Sequence, residues 1–500
     1  MRGWNVWHTK MSEWVTETPA FAVVGKINMG KSSVLSTLLE IDDDSLIRVS
    51  GTPGETTGCQ VLPLSFDDRE MIRFLDTPGF SRAVEAMRTI QDLHGEGTPD
   101  LETIRRFVAE QLERGEFEDE ARLLQPVVEG AGILYVIDPS KPLRDAFVAE
   151  MEILRWTGAP RMALLNEKGE NKEREEEWRR RLGSYFNLVR TFNAHRARFE
   201  ERRSLLKSLL EIDEKNKPRI EETIDLIDTE WGQRREEAAE LAIDFLAKSL
   251  RHRESEKLDE RDEQLESRKE RVKEKLRKKY YLGIAKFEEK AYADLLKLYR
   301  HRLLKVQLAE ESFHGVDLSS QETWQKWGLS RSQLAIAGGL AGGAAGVAID
   351  LGSAGLTHGL GTVFGALTGA GGAFWKGDRF PELKISAKGV TLDGDRRKAL
   401  TVGPPESDNF AWILLDRFLQ HYREIVVRSH GRRDESVIAG EEGENGGWVR
   451  KFERERRVRI QRWILAQLKG DVKTFDPEVF QEVTEILEEV EAGSKGWSDR

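Results

Sequence analysis

Ala20-Phe21-Ala22-Val23-Val24-Gly25-Lys26-Ile27-Asn28-Met29-Gly30-Lys31-Ser32-Ser33 is the stretch on which the N-terminal half of this 500-residue chain turns. An apolar run suited to a buried strand enters Gly-x4-Gly-Lys-Ser, and a helical pattern follows. That is the setting a phosphate-binding P-loop requires. Glycines let successive backbone N–H groups curl around phosphate oxygens, and a helix N-terminus adds a favourable dipole. Gly25, Asn28, Met29, Gly30, Lys31, Ser32 and Ser33 are therefore the candidate phosphate-binding residues. Lys31 suits the β- and γ-phosphates of a nucleotide, and the Ser32 hydroxyl suits Mg2+.

Further along, Phe74-Leu75-Asp76-Thr77-Pro78-Gly79 closes an apolar strand with Asp-x-x-Gly. An acid at that strand end is placed to hold magnesium, usually through water. The Gly79 backbone N–H is placed to sense a γ-phosphate. Between the two motifs lies Gly51-Thr52-Pro53-Gly54-Glu55-Thr56-Thr57-Gly58. A threonine hydroxyl there reaches magnesium only when a γ-phosphate is present, which makes the loop a switch. Thr57 is the first choice and Thr56 the alternative. The expected magnesium set is Ser32, Thr57 and Asp76, and the γ-phosphate sensors are Thr57 and Gly79.

Residues 18–200 alternate β-branched runs with helical stretches, the pattern of a mostly parallel α/β sheet with helices on both faces. Strands are expected at Phe21–Val24, Gln60–Phe66, Met71–Leu75, Ile133–Ile137, Met162–Leu165 and Leu188–Phe192. Asp67-Asp68-Arg69-Glu70 is a hairpin-like connection. Residues 81–130 read as an insertion, helical through Leu101–Leu112 and Asp119–Gln125, with Pro126 ending the second helix. Its place directly after Asp-x-x-Gly suits it to transmit nucleotide state.

The chain carries 78 Lys plus Arg and 88 Asp plus Glu, so its net charge is 78 − 88 = −10. That balance disfavours a nucleic-acid partner, which would want a basic stripe. A charged fraction of 33% against 39% apolar residues excludes a polytopic membrane protein. The single cysteine, Cys59, cannot form an intramolecular disulfide, and the first residues carry no apolar signal segment. A cytoplasmic location is expected.

Residues 201–330 read as long helices with both charge signs interleaved. Residues 331–378 form a glycine-rich stretch in which Gly338, Gly342 and Gly346, then Gly361, Gly365 and Gly369, recur every four residues. That spacing suits a close helical hairpin. Its halves, of about 16 residues each, fall short of the roughly 20 needed to span a bilayer. A buried or interfacial hairpin is preferred, and contact of 334–375 with a membrane or a protein partner is the alternative, peripheral at the inner membrane. Residues 379–500 read as mostly helical, at about 408–428, 447–468 and 476–491, after a strand pair at Leu383–Ala387 and Val390–Leu392.

With Gly-x-x-Asn-x-Gly-Lys-Ser, Thr56-Thr57 and Asp76-Thr77-Pro78-Gly79 in this order, residues 18–200 resemble the Era/TrmE/septin-like group of GTPases. The C-terminal half, with Gly346-Val347-Ala348-Ile349-Asp350-Leu351-Gly352, resembles a bacterial family that pairs such a GTPase with an uncharacterised domain. The resemblance implies an α/β P-loop GTPase domain followed by a largely α-helical region. It also implies GTP and GDP as ligands, Mg2+ as cofactor, and a nucleotide state that controls the helical region. Asn166, Lys168, Asn193 and Ala194 are the base-binding residues that it implies. In potassium-stimulated members of the group an asparagine at the Asn28 position coordinates K+, which makes Asn28 the candidate potassium ligand.

Two departures stand out. The group's Asn-Lys-x-Asp guanine motif is here Asn166-Glu167-Lys168-Gly169, without the acid that pairs with guanine N1 and N2. Phe80, as in the group, stands where a Ras-like enzyme has its water-orienting glutamine, so slow intrinsic hydrolysis is expected. Long helices and the missing glutamine make a homodimer a further candidate partner. The competing readings are a membrane-associated, dynamin-like NTPase and a nucleotide-stabilised scaffold without turnover.

Overall fold

Strand β1 (Ala20–Val24) is buried along its whole length, and its side chains alternate between two apolar layers. Phe21 and Val23 pack with Val34, Leu35 and Leu38 of α1 (Lys31–Leu39) and with Leu205, Leu206 and Leu209 of α7 (Phe199–Ile212). Ala22 and Val24 face the opposite layer, built from Ile90, Phe107, Leu124, Met151 and Trp178. A strand covered on both faces reads as a continuous apolar run, which is why the quoted stretch shows no period-two alternation.

This computed structural model describes residues 18–42, 59–167, 172–257, 266–302, 391–392, 398–405, 409–432, 447–470 and 475–493. Thr56 and Thr57, Lys168, the glycine-rich stretch 331–378 and the expected strand at Leu383–Ala387 lie outside the described residues.

The remaining strands are β2 (Gln60–Phe66), β3 (Arg69–Asp76), β4 (Gly132–Ile137), β5 (Arg161–Asn166) and β6 (Leu188–Phe192). All six expected strands are present, within two residues of the expected limits. The sheet order is β2-β3-β1-β4-β5-β6, parallel except for β2 against β3. The β2–β3 hairpin turns on Asp67 and Asp68, both at positive φ (47° and 61°), as tight two-residue hairpin turns require. Register pairs Val23 with Asp76, Val24 with Tyr135 and Asn166 with Phe192. The carboxyl ends of the parallel strands therefore share one edge, on either side of β1, where such sheets bind ligands.

The 81–130 segment holds three helices, α2 (Ala83–His94), α3 (Leu101–Arg114) and α4 (Glu118–Val128). The first was not anticipated, and Pro126 lies inside α4 rather than ending it. Proline removes the hydrogen bond to the carbonyl four residues back, that of Arg122. The Cys59 thiol donates to this carbonyl at 3.3 Å and so occupies the freed acceptor. Helix α2 has no side-chain cap of its own. Instead the buried Glu120 carboxylate accepts from Ser81 N (2.9 Å) and from Arg82 N.

Helix α5 (Asp145–Trp156) and α6 (Lys172–Gly183) complete the α/β part. Helix α8 (Lys217–Arg251) follows α7. The chain divides into two compact units, Met1–Gln233 with Tyr299–Leu303 and Val426–Glu435, and Arg234–Leu298 with Leu304–Ile425 and Ser436–Arg500. The second unit contains the long helix α9 (Glu266–Leu298), which buries Leu276, Tyr280, Ile284, Tyr292 and Leu295 along one stripe. It also contains α10 (Asn409–Val426), α11 (Arg454–Lys469) and α12 (Pro477–Gly493). The polar segment Glu254–Lys257, expected to be helical, is a strand (β7) paired with β9 (Lys398–Val402). Strand β9 in turn pairs with β8 (Thr391–Leu392). No helix among the described residues is long and apolar enough to cross a membrane.

Candidate functional site

The loop from Gly25 to Gly30 carries β1 into α1 at the carboxyl edge of the sheet. Gly25 has φ 152°, and a Cβ there would lie 2.4 Å from the Val136 carbonyl oxygen of β4, so no larger residue fits. Gly30, at φ 95°, is the N-cap of α1, and Asn28 takes the left-handed conformation at φ 67°. Asparagine is among the few side chains that accept this region readily. Asn28 is exposed at the loop's outer turn, while Met29 is buried.

Lys31 Nζ donates to the Gly25 carbonyl at 2.8 Å, across the mouth of the loop. Burial holds its ammonium below the usual lysine range, against the opposing pull of Asp76 and Glu150. Asp76 is almost fully buried at the end of β3, and burial pushes its carboxyl up to about 6 despite Lys31. Its Oδ1 has no hydrogen-bond partner among the described residues. An orphaned carboxylate oxygen facing a P-loop suits a hard divalent cation, and with the Ser32 hydroxyl it offers the oxygen ligands Mg2+ prefers. The residues present fit magnesium.

The Asp-x-x-Gly turn is pinned to the loop. Thr77 Oγ1 donates to the Val23 carbonyl at 2.9 Å. A Cβ on Gly79 would lie 3.1 Å from the Gly25 carbonyl oxygen and 3.4 Å from the Lys26 Cα. The Gly79 backbone thus packs directly on the P-loop, and a shift in either is felt by the other. Phe80 is buried in the apolar layer with Met29, Ala83 and Phe117, so it presents no group to a water molecule.

At the end of β5, Asn166 is fully buried and its amide works as a brace. Its Nδ2 donates to the Met29 carbonyl (3.2 Å), and its Oδ1 accepts from Ala194 N (3.1 Å). The Asn193 side chain accepts from His195 N at 3.0 Å and shapes the loop after β6. The fold therefore brings the P-loop, Lys31, Asp76, Gly79, Asn166 and Ala194 to one edge, whereas Thr57 and Lys168 lie outside the described residues.

A second charged group was not singled out from sequence. Glu150 of α5 is fully buried, accepts from the Tyr135 hydroxyl at 2.7 Å and pairs with Lys26 of the P-loop at 3.3 Å. Burial pushes its carboxyl up to about 7. The signal was present in the sequence: an acid on the helix face that also carries Phe147, Met151 and Leu154.

Comparison with known proteins bears on both halves. A family model described as "50S ribosome-binding GTPase" matches residues 20–167, and one described as "Domain of unknown function (DUF3482)" matches residues 179–483. A probable GTP-binding protein EngB of Anaeromyxobacter sp. (strain K) is 41% identical over 81 residues, 15% of this chain and 37% of the relative. The EngB of Streptococcus sanguinis (strain SK36) is 40% identical over 67 residues, 13% of this chain and 31% of the relative. The chain thus spans about a third of the length of these relatives. A crystal structure of Era with MgGDPNP and nucleotides 1506–1542 of 16S ribosomal RNA is 20% identical, covering 39% of this chain and 56% of that one. Its TM-score of 0.26 is too low to carry an argument. The N-terminal region is a P-loop GTPase domain, joined to a separate C-terminal region.

Proposed function

The chain belongs to the family described as Domain of unknown function (DUF3482), and from that premise we propose that its P-loop GTPase domain is a Mg2+-dependent, slowly hydrolysing GTP switch that controls the helical region. The observation that carries the reading is that Lys31, held on the Gly25 carbonyl, shares one site with the buried carboxylate of Asp76, whose Oδ1 has no hydrogen-bond partner among the described residues. Buried charges left without full compensation are costly unless a ligand of matching charge completes them. A magnesium nucleotide does so.

In this reading the loop from Gly25 to Ser33 wraps the phosphates, and Lys31 leaves the Gly25 carbonyl to contact the β- and γ-oxygens. Ser32, Asp76 and Thr57 hold Mg2+, which when bound neutralises phosphate charge. Gly79 donates its N–H to the γ-phosphate, and its packing on Gly25 and Lys26 passes the presence of that phosphate to the 81–130 helices. Asn166, Lys168, Asn193 and Ala194 form the base pocket, with Asn166 setting the distance between P-loop and base loop. Hydrolysis adds water to the γ-phosphorus and releases phosphate from GDP. With Phe80 in the apolar layer, no side chain at that position orients the water, so turnover is slow. Asn28, at the exposed turn of the loop, is the ligand for K+.

Phosphate release from GTP should be measured with Mg2+ in KCl and in NaCl, with Lys31→Ala as the blank. Slow turnover above the blank, faster in KCl, is the expected result. Equal rates in the two salts would remove K+, and turnover no higher than the blank would remove hydrolysis.

A further inference from the structure

Besides residues 179–233, two short segments from the DUF3482 region lie in the first compact unit: Tyr299–Leu303, directly after α9, and Val426–Glu435, at the end of α10. They contact each other through the rings of His301 and His430, stacked at 4.2 Å with planes 9° apart, and through His430 Nε2 and the Tyr299 carbonyl at 3.1 Å.

The first segment grips the end of α1. Glu40, the C-cap of α1, is buried and pairs with Arg202 at 2.8 Å and with Arg300 at 3.4 Å. Asp42, also buried, accepts from Arg302 N at 2.6 Å and lies 3.9 Å from His301 Nδ1. Asp42 is the last described residue before the segment that carries Thr57.

The second segment reaches the base loop. Ser429 Oγ donates to the Ala194 carbonyl, which also accepts from Thr37 Oγ1 of α1 at 3.0 Å. Ala194 N donates to Asn166 Oδ1, and Asn166 Nδ2 donates to the Met29 carbonyl of the P-loop. Ser429, Ala194, Asn166 and Met29 are all buried, so this is a continuous buried relay from the second segment to the phosphate loop. Gly431 seals it. A Cβ there would lie 2.5 Å from the Ala194 carbonyl oxygen and 2.9 Å from both the Ser33 carbonyl oxygen and Thr37 Oγ1.

We propose that Ser429 and Gly431 are positioning residues for the nucleotide site, so that the docking of the 299–302 and 426–432 segments and the binding of nucleotide are linked. The proposal rests on the GTP-switch reading and names where that switch is read out. Linkage is reciprocal: what the docked segments add to nucleotide affinity, nucleotide adds to their docking. The element through which the two events act on each other is the loop at Ala194, whose carbonyl is held by α1 and Ser429 together. Ser429 and Gly431 act through Ala194 and Asn166.

The test uses the full chain and GDP carrying a fluorescent ribose tag, with Ser429→Ala and Gly431→Val. Both variants should bind GDP more weakly, Gly431→Val by roughly 5- to 150-fold, the usual range of coupling between sites. In the wild type, GDP should slow amide exchange at 429–432. That second readout tests the linkage even if Gly431→Val fails to fold, and slowing at 429–432 beyond that seen across α9 separates linkage from general stabilisation of the fold. Wild-type binding with unchanged affinity in a folded Ser429→Ala, together with unchanged exchange at 429–432, would overturn the proposal and leave the switch reading standing. Wild-type binding no stronger than that of Lys31→Ala would overturn the switch reading and the proposal with it.

Discussion

Among the buried glutamates of the two compact units, Glu288 and Glu150 are treated in opposite ways. In the second unit Glu288 of α9 faces Arg417 at 2.6 Å and His421 at 3.1 Å of α10, and these neighbours hold its carboxyl down at about 2 despite burial. In the first unit Glu150 has the Tyr135 hydroxyl and the partly exposed Lys26, and burial wins, at about 7. Nearby, Asp76 is pushed up to about 6 and Lys31 is pulled down. Charges that satisfy one another build a fold, whereas buried charges left poorly compensated around one loop mark a place where a charged ligand completes the set. Elsewhere in the second unit Asp416 accepts from Val449 N, and Arg456 is shared among Glu482, Glu485 and Glu489.

The comparison breaks most sharply under substitution. Glu288→Ala leaves Arg417 and His421 buried without their acid, which should cost about 3–5 kcal/mol in urea unfolding. Nucleotide affinity should change far less in this variant than in Lys31→Ala. Glu288 is held below its ordinary 4.5, so its contribution is present above that value and is lost as pH falls towards about 2. Lys31→Ala should do the reverse, weakening nucleotide binding by about 100-fold or more in titration while leaving the unfolding midpoint nearly in place.

Glu150→Gln sharpens the contrast through pH. With a carboxyl raised from 4.5 to about 7, the native state takes up the proton before the unfolded chain does. Stability from this group therefore falls as pH rises across that window. Lys26, Tyr135 and Lys31 face the same carboxylate. The variant should flatten the slope of unfolding free energy between about pH 5 and 7 relative to wild type. The smallest effect is expected at Cys59→Ala, which leaves the Arg122 carbonyl opposite Pro126 without its thiol, at about 1 kcal/mol in the same unfolding assay.

What could be read in the sequence, and what could not, follows the range of the interactions. The P-loop, Asp76 with Gly79 and the six strands are local patterns: apolar runs, glycines and an acid at fixed spacing. Pro126 misled because a helix-breaking rule is local, whereas the Cys59 thiol that occupies the freed carbonyl comes from a residue far away in the chain. Glu254–Lys257 misled because a polar strand has no apolar period, and its pairing with Lys398–Val402 spans most of the C-terminal region. Asn166 was visible as a residue type, but its work as a brace between Met29 and Ala194 is a tertiary fact. Ser429 and Gly431 carried no signal, since nothing near them in sequence points to Ala194.

The switch reading requires this site to take a guanine nucleotide although Gly169 stands where the Era/TrmE/septin-like group places its acid. Competition of GTP against ATP for the full chain with Mg2+, with Lys31→Ala as the blank, tests it directly. A preference for GTP of about 100-fold or more is the predicted result, since a pocket built to hydrogen-bond one base strongly rejects another. Equal affinity for the two nucleotides, or a preference for ATP, would contradict it.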